Sequence, residues 1–306
     1  MDVPALRSAL ADVAFTTPTP FTADGESVDA AAVASNAERL SAAGARLFVP
    51  CGNTGEYYAL TDDERVTAVE STAGAVDADA AVVAGAGGNV ATVCSLADTY
   101  RDAGADAVMV MHPSHPYKHE RGLETYYRRI ADRSALPVVV YKRGDDLPAS
   151  VVAAVSTHEN VVGVKWADGD LAAFAGAVAD GGEVTWINGI AERYAPAFAA
   201  EGASGFTTGI GNVLPDATLA LRDALADGEW ARARRIRDLL RPLEDLRAES
   251  GPDGDLAAAN NVPVVKEGLD YVGAAGGPVR PPLVGLAPAD RERLEDGIDA
   301  VRDASL

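Results

Sequence analysis

The fold is decided by the stretch VVVYKRGDDLPASVVAAVSTHENVVGVK, residues 138–165. It begins with an apolar, β-branched run, Val138–Tyr141, and ends with a second one, Val161–Lys165. Between them, Pro148 precedes the Ala/Val-patterned segment Val151–Ser156, as proline does in the first turn of a helix. Two buried strands joined by one helix form a βαβ unit, and this connection predicts that the strands are parallel.

The same alternation of strand and helix patterns extends in both directions, with a period of roughly 25 to 30 residues. The other strand candidates are Val13–Thr17, Leu47–Pro50, Ala81–Ala84, Ala107–Met111, Val184–Ile187 and Gly205–Thr207. Eight parallel strands with intervening helices predict an α/β fold, a (β/α)8 TIM barrel whose chemistry lies in the loops that follow the strands. The alternative is an open doubly wound sheet. It is disfavoured because residues 16–20 (TTPTP) lack the glycines that cradle a dinucleotide.

Beyond the eighth strand candidate the pattern becomes wholly helical. The helical segments are Leu219–Ala226, Trp230–Leu246, Leu256–Val272 and Ala289–Ala300. We therefore predict a catalytic barrel over residues 1–226 and a C-terminal helical extension over residues 227–306, with Ala248–Asp255 as the linker.

The chain is strongly acidic. Its 306 residues include 26 Lys+Arg and 46 Asp+Glu, which gives a formal charge of −20, while 48% of the residues are hydrophobic, too many for a disordered chain. Such a surface repels phosphates and anionic lipid head groups, so we expect a small-molecule partner rather than nucleic acid or a membrane. Only four of the basic residues are lysine. This composition favours a halophilic protein over an ordinary acidic one.

Cysteine usage and the N-terminus both favour a cytoplasmic location. Cys51 and Cys94 are too few for a disulfide framework and lack the spacing of a zinc site. The first residues show no basic segment followed by an apolar run, and no stretch approaches the roughly 18 apolar residues of a membrane span.

Lys165 is the strongest candidate for catalysis, because it ends an apolar strand that a barrel buries. Burial disfavours the ammonium form, which lowers the pKa and supplies a neutral amine that can attack a carbonyl. The alternative is a strand-end lysine that reaches solvent or a carboxylate. Tyr141 ends the preceding strand, so its hydroxyl can lie at the same mouth and move protons.

The segment Pro50–Glu56 follows the second strand candidate, with Gly52 and Gly55 flanking Asn53-Thr54. Backbone amides in such a turn can form a nest for a substrate carboxylate, although a plain βα turn would look the same.

Three histidines, His112, His115 and His119, fall close together, but their spacing matches no standard ligand pattern. We expect no metal and no cofactor, and we expect His115 to form a hydrogen bond at the rim of the site.

Several motifs in order resemble the dihydrodipicolinate synthase / N-acetylneuraminate lyase family of class I lyases, and the resemblance covers nearly the whole chain. They are Thr-Pro-Thr-Pro-Phe at 17–21, Gly-Asn-Thr-Gly-Glu at 52–56, Tyr141, Gly-Val-Lys at 163–165, Asn188-Gly189 and Gly205–Asn212. The resemblance implies a homotetrameric barrel in which Lys165 forms a Schiff base with an α-keto acid. It also implies that Tyr141 relays protons and that residues 52–55 bind the carboxylate.

The sequence departs from the synthases of that family. They have Thr-Thr where this chain has Asn53-Thr54, and two tyrosines where it has Ser114-His115. Their arginine for a second carboxylate falls near Asp146. Tyr141–Arg143, the pair Thr207-Thr208, and residues 277–282 instead resemble dehydratases of 2-keto-3-deoxy sugar acids, so we expect that branch.

The expected reaction is loss of water from a C5 pentonate or C6 glucarate substrate in sugar acid catabolism, by a carbon–oxygen lyase (a hydro-lyase) using Lys165. Thr54 would orient Tyr141 in this scheme. Hydroxyls or a distal group would be held by Arg143, Asn188, Gly189 and Thr208. Three alternatives stay open: an aldolase of the same substrates that releases pyruvate, a dihydrodipicolinate synthase, and a non-catalytic α-keto acid sensor.

The acidic composition makes one testable prediction. The Debye length falls to about 3 Å in 1 M salt, so carboxylate repulsion in the folded state weakens as KCl is added. The thermal unfolding midpoint should therefore rise by several degrees between dilute buffer and molar KCl, measured by circular dichroism. A midpoint that stays constant or falls would contradict the halophilic interpretation.

Overall fold

The structure is a computed structural model that describes residues 1–252, 254 and 256–306, with the exception of the Asp145 side chain. Eight parallel strands within these residues close into a barrel in which each strand pairs with the next and β1 pairs with β8. The strands are β1 Val13–Phe15, β2 Leu47–Phe48, β3 Ala81–Ala86, β4 Ala107–Val110, β5 Val138–Arg143, β6 Val161–Ala167, β7 Thr185–Asn188 and β8 Gly205–Thr208. The predicted (β/α)8 barrel is confirmed.

Helices surround the strands and continue beyond them. They are α1 Val3–Leu10, α2 Ala30–Ala42, α3 Asp62–Ala73, α4 Val90–Asp102, α5 Glu120–Arg133, α6 Ala149–Ser156, α7 Leu171–Asp180, α8 Ala195–Ala200, α9 Pro215–Ala226, α10 Trp230–Ala248, α11 Asn261–Tyr271 and α12 Pro288–Arg302. Among the described residues, no helix is both long enough and apolar enough to cross a membrane.

Helix starts follow the local sequence signals. The Asp29 carboxylate caps α2 by accepting from the Ala32 N–H at 3.0 Å. Thr61 and Glu64 form a reciprocal capping box at the start of α3. Gly44 and Gly104 follow α2 and α4 with φ of 103° and 97°, a conformation that glycine adopts without steric cost.

Helix α1 closes the N-terminal end of the barrel, which the sequence analysis did not predict. Its Leu6 and Leu10 are fully buried. A Cβ added to Gly163 of β6 would lie only 3.2 Å from Leu10 Cδ1, so glycine at this position lets α1 approach the strands. The opposite, C-terminal end of the strands therefore remains as the mouth.

The C-terminal helices differ from the predicted bounds mainly before α11. The predicted helix begins at Leu256, whereas α11 begins at Asn261 because Ala258 has φ of 61° and interrupts the helix. Ala248 of the predicted linker still belongs to α10, and Asp253 and Asp255 lie outside the described residues. The predicted domain division at 226/227 falls between α9 and α10, which pack against each other.

Candidate functional site

Lys165 projects into the mouth of the barrel from β6. Its side chain is 6% exposed, and Tyr141 of β5 is its partner in the strand register. The Lys165 Nζ lies 4.4 Å from the centre of the Tyr141 ring. A Cβ on Gly189 would lie 2.9 Å from Lys165 Cγ, so only glycine there leaves room for the lysine stem.

The electrostatic setting favours the neutral amine. Burial, together with the nearby charges of Arg143 and Arg247, lowers the pKa of Lys165 to about 7. No carboxylate forms an ion pair with this amine within the described part of the chain. A substantial fraction of Lys165 is thus unprotonated and nucleophilic near neutral pH.

The Tyr141 ring contacts this amine, and its hydroxyl contacts the loop after β2. It accepts a hydrogen bond from Asn53 Nδ2 at 3.2 Å. Burial raises the pKa of Tyr141, so the phenol is protonated at neutral pH. The contact that we expected Thr54 to make is made by Asn53, while the Thr54 hydroxyl lies 3.2 Å from that of Thr16.

The turn over residues 51–56 is tightly folded. Cys51 and Glu56 have φ of 57° and 56°, and a Cβ on Gly55 would lie 3.0 Å from the Cys51 nitrogen and from the Thr17 oxygen. The Glu56 carboxylate holds the end of the turn by accepting from Lys266 Nζ at 2.5 Å and from the Arg280 N–H at 2.9 Å.

Several backbone donors of the turn remain free among the described residues, and two of them lie on its Asn53-Thr54 segment. The N–H groups of Asn53 and Thr54 form no hydrogen bond with any residue that the structure describes. Asn53, Thr54 and Tyr141 line the same cavity, so these N–H groups are suitable donors for a carboxylate ligand.

A cavity of about 580 Å³ fills the mouth and collects most of the predicted residues. Those on its wall are Asn53, Thr54, Tyr141, Arg143, Lys165, Gly189 and Thr208. Gly52, Gly55, His115 and Asn188 are not on the wall. Gly52 and Gly55 belong to the turn but do not line the cavity.

His115 and Asn188 both have local partners outside the cavity. The exposed His115 ring accepts from the Tyr117 N–H at 3.1 Å. Asn188 is fully buried; it donates to the Ala191 carbonyl at 2.8 Å and accepts from the Ile190 N–H at 3.0 Å. Asn188 therefore shapes the loop after β7.

The three clustered histidines do not converge. His112 pairs with Asp146, which also pairs with Lys118. His119 caps α5 through its ring nitrogen, accepting from the Arg121 N–H at 3.2 Å. Among the residues described, no group of three His, Cys, Asp or Glu side chains is arranged to hold a metal ion.

Sequence reasoning missed the part of the wall that α10 supplies. Arg247 is buried, and its guanidinium donates to Glu244 at 2.5 Å and to Asn261 Oδ1 at 3.1 Å. The signal was present in the sequence: Leu240, Leu243 and Arg247 recur at the spacing of one helix face, so a charge falls among core positions.

The chain is similar to proteins of one family. It matches the Dihydrodipicolinate synthetase family over residues 9–301. A 4-hydroxy-tetrahydrodipicolinate synthase from Natronomonas pharaonis is 32% identical over 289 residues, which are 91% of this chain and 93% of the relative. One from Mycolicibacterium paratuberculosis is 34% identical over 297 residues, which are 94% of this chain and 93% of the relative. The crystal structure of dihydrodipicolinate synthase from Oceanobacillus iheyensis is 32% identical and covers 99% of this chain and 100% of its own, with a TM-score of 0.92.

The expected sugar acid dehydratase is wrong, because these relatives are named synthases. Their names do not confirm the hydro-lyase class either. The structure gives the physical reason. Lys142 pairs with Asp168 at 2.6 Å, the Thr208 hydroxyl contacts Glu192, and Arg280 pairs with Glu64 at 2.6 Å. The motifs that suggested the dehydratases thus have partners within the protein, so they are poor evidence about a substrate.

The setting of Lys165 predicts a pH dependence. The rate of borohydride-trapped pyruvate adduct formation should rise through about pH 7, since the amine loses its proton there, and level off above it. Arg143→Ala removes a charge that lowers this pKa, so the midpoint should move upward. The measurement is adduct mass against pH. A rate that keeps rising towards pH 10, as for an ordinary lysine, would contradict the assignment.

Proposed function

Because the chain belongs to the dihydrodipicolinate synthetase family, we propose that it is a 4-hydroxy-tetrahydrodipicolinate synthase that works through a Schiff base on Lys165. The observation that carries this proposal is a buried amine without a carboxylate partner in the described structure, in contact with the Tyr141 ring at the mouth of the barrel. The relatives that share the synthase name support the choice of reaction.

The product's chemistry defines the substrates. Opening the ring of 4-hydroxy-tetrahydrodipicolinate at its imine gives a linear 2-keto acid with a 4-hydroxyl and an amino acid end. Dividing this chain at the C3–C4 bond, as an aldol reaction does, gives pyruvate and aspartate 4-semialdehyde. Each of the two substrates brings one carboxylate to the cavity.

The reaction begins at the pyruvate ketone. The Lys165 amine attacks C2, and the carbinolamine loses its oxygen as water when Tyr141 donates a proton to it. The resulting iminium withdraws electrons from C3, so the Tyr141 phenolate can take a C3 proton and leave an enamine. The side-chain amide of Asn53, whose Nδ2 donates to the Tyr141 oxygen at 3.2 Å, would stabilise the phenolate.

Carbon–carbon bond formation follows. The enamine C3 attacks the aldehyde carbon of the semialdehyde, and the new alkoxide takes the proton that Tyr141 removed from C3. This step regenerates an iminium on Lys165. The amino group of the bound chain then attacks C2, which closes the ring and releases the Lys165 amine, so no oxidant or reductant is needed.

The cavity's charge suits two carboxylates. Its wall carries four arginines in a chain of net charge −20. Three of them pair with carboxylates of the protein, namely Arg193 with Asp245, Arg247 with Glu244 and Arg280 with Glu64, whereas Arg143 pairs with no carboxylate among the described residues. The carboxylates on the wall, Glu56 and Glu244, are already engaged by Lys266 and Arg247. We assign the pyruvate carboxylate to the free N–H groups of Asn53 and Thr54.

For the second carboxylate we assign Arg143. It lies at the end of β5 on the cavity wall, close enough to Lys165 to influence its pKa. Asp146, which stands near the position of the synthase arginine, is engaged by Lys118 and His112 and has the wrong charge for this role. A guanidinium two positions after Tyr141 can supply the bidentate contact instead.

Turnover tests the function directly. Incubation with pyruvate and aspartate 4-semialdehyde in molar KCl should give 4-hydroxy-tetrahydrodipicolinate, detected by mass. Lys165→Arg should abolish it, because a guanidinium forms no iminium, whereas the surface variant Lys118→Arg should match the parent. Unchanged substrates with properly folded protein would contradict the synthase proposal.

Arg143→Ala tests the second carboxylate site. The KM for aspartate 4-semialdehyde should rise roughly tenfold or more, since a hydrogen bond to a charged group contributes about 1.5–3 kcal/mol. At a pH above the Lys165 midpoint of both proteins, where the amine is neutral in each, the KM for pyruvate should change little. Arg129→Ala, which removes an exposed arginine from α5, is the matched control. Equal effects on both substrates, or none, would remove this assignment.

A further inference from the structure

Glu192 is a buried carboxyl group directly behind the cavity wall that the proposed reaction leaves unused. It is 0% exposed and lies in a short 3₁₀ turn, Glu192–Tyr194, that follows β7. The preceding Ala191 has φ of 61°, a left-handed value that is costly for alanine. The chain thus accepts local strain where it places this side chain.

One carboxyl oxygen of Glu192 is well bonded and the other is not. Oε1 accepts from the Thr208 hydroxyl and from the Thr218 hydroxyl, the latter at 3.2 Å. Thr208 Oγ1 itself accepts from the Gly211 N–H at 2.7 Å, so its own proton is directed at Glu192. Oε2 has no hydrogen-bond partner among the described residues.

Burial and the Glu244 charge favour the neutral form of Glu192, and together they outweigh the opposing effect of Arg247. Glu244 and Arg247 of α10 are its charged neighbours, and they pair with each other at 2.5 Å. No basic side chain forms an ion pair with Glu192 in the described part of the chain. Burial, with the adjacent Glu244 charge, raises the pKa of Glu192 to about 8, since an isolated buried carboxylate is costly.

Glu192 is connected to the substrate turn by a short path. The Thr208 carbonyl accepts from the Thr16 N–H at 2.9 Å and from the Thr16 hydroxyl at 2.6 Å. The Thr16 hydroxyl lies 3.2 Å from that of Thr54, which carries one of the two free N–H groups. The position of Thr208 therefore affects the position of the turn.

We propose that Glu192 is a positioning residue that works as a neutral carboxylic acid, holding Thr208 and Thr218 so that the turn at Asn53-Thr54 fits the carboxylate of the α-keto acid. Ionisation would place an unpaired charge beside Glu244 and disturb Thr208. The inference rests on the proposed function only in that the turn binds an α-keto acid.

The first test compares Glu192→Gln with Glu192→Ala. Glutamine keeps an acceptor for both hydroxyls and cannot ionise, so it should retain the parent's apparent pyruvate affinity at pH 7, measured by borohydride trapping. Alanine should weaken it roughly tenfold, since two hydroxyls lose their acceptor. The parent's affinity should weaken above about pH 8, and the glutamine variant's should not. Identical pH profiles for parent and glutamine variant would overturn the proposal.

The second test needs no substrate. A carboxyl whose folded pKa is raised from 4.5 to about 8 binds more protons in the folded state between these values, so the parent loses stability relative to Glu192→Gln as the pH rises through this window. Lys165 titrates in both proteins, so the comparison cancels it. If the difference in unfolding free energy between the parent and Glu192→Gln does not change with pH, Glu192 is not a neutral acid that ionises in this range. This outcome would refute the proposal whether or not pyruvate is a substrate. A difference that falls as expected, with no pyruvate adduct in either protein, would refute the proposed function alone.

A third variant, Thr218→Val, tests the proposal if the Glu192 variants do not fold. Thr218→Val removes one donor to Oε1, which favours the neutral carboxyl further, so the alkaline loss of pyruvate affinity should move to higher pH. A shift to lower pH would contradict the proposal.

Discussion

The site depends on a buried amine, Lys165, that pairs with no carboxylate among the residues that the structure describes. The pKa of Lys165 falls to about 7 because burial and two arginines disfavour its charged form. The arginines that depress this pKa also line the cavity, where they attract carboxylates. One set of charges therefore makes the lysine nucleophilic and the substrate site anion-selective, in a chain whose overall charge is −20.

The helical region after the barrel completes this arrangement. Arg247 comes from α10, Lys266 from α11, and Arg280 from the segment between α11 and α12. Lys266 and the Arg280 backbone hold Glu56, which fixes the turn after β2. A buried ion pair contributes little net stability, but losing one partner is costly, so Lys266–Glu56 acts chiefly to specify the turn's position.

The barrel and the Lys165–Tyr141 pair could be predicted from the sequence. The strand and helix periodicity indicates the order of the strands, and in a parallel barrel consecutive strands are neighbours. Lys165 and Tyr141 end consecutive strand candidates, and the structure pairs them in register. Glu192 could not be found in this way, since its setting depends on contacts with β8 and α9 that no local pattern encodes. The contact of Asn53 with Tyr141 likewise depends on the folded turn.

The wrong expectation of a dehydratase has a related cause. The motifs that contain Lys142, Thr208 and Arg280 suggested the dehydratase branch, whereas each of these side chains is engaged by a carboxylate of the protein. A short motif shows which side chains are present and not which way they point. Strand periodicity is less affected by this ambiguity, because it is averaged over many residues. A motif of two or three residues has no such averaging.

Lys165 is the residue proposed to form the Schiff base. The sharpest experiment is to reduce the protein with borohydride in the presence of pyruvate, digest it, and locate the adduct by peptide mass spectrometry. We expect a gain of one pyruvate less one oxygen atom on Lys165 alone among the four lysines. An adduct on Lys118, Lys142 or Lys266, or no adduct on correctly folded protein, would contradict it.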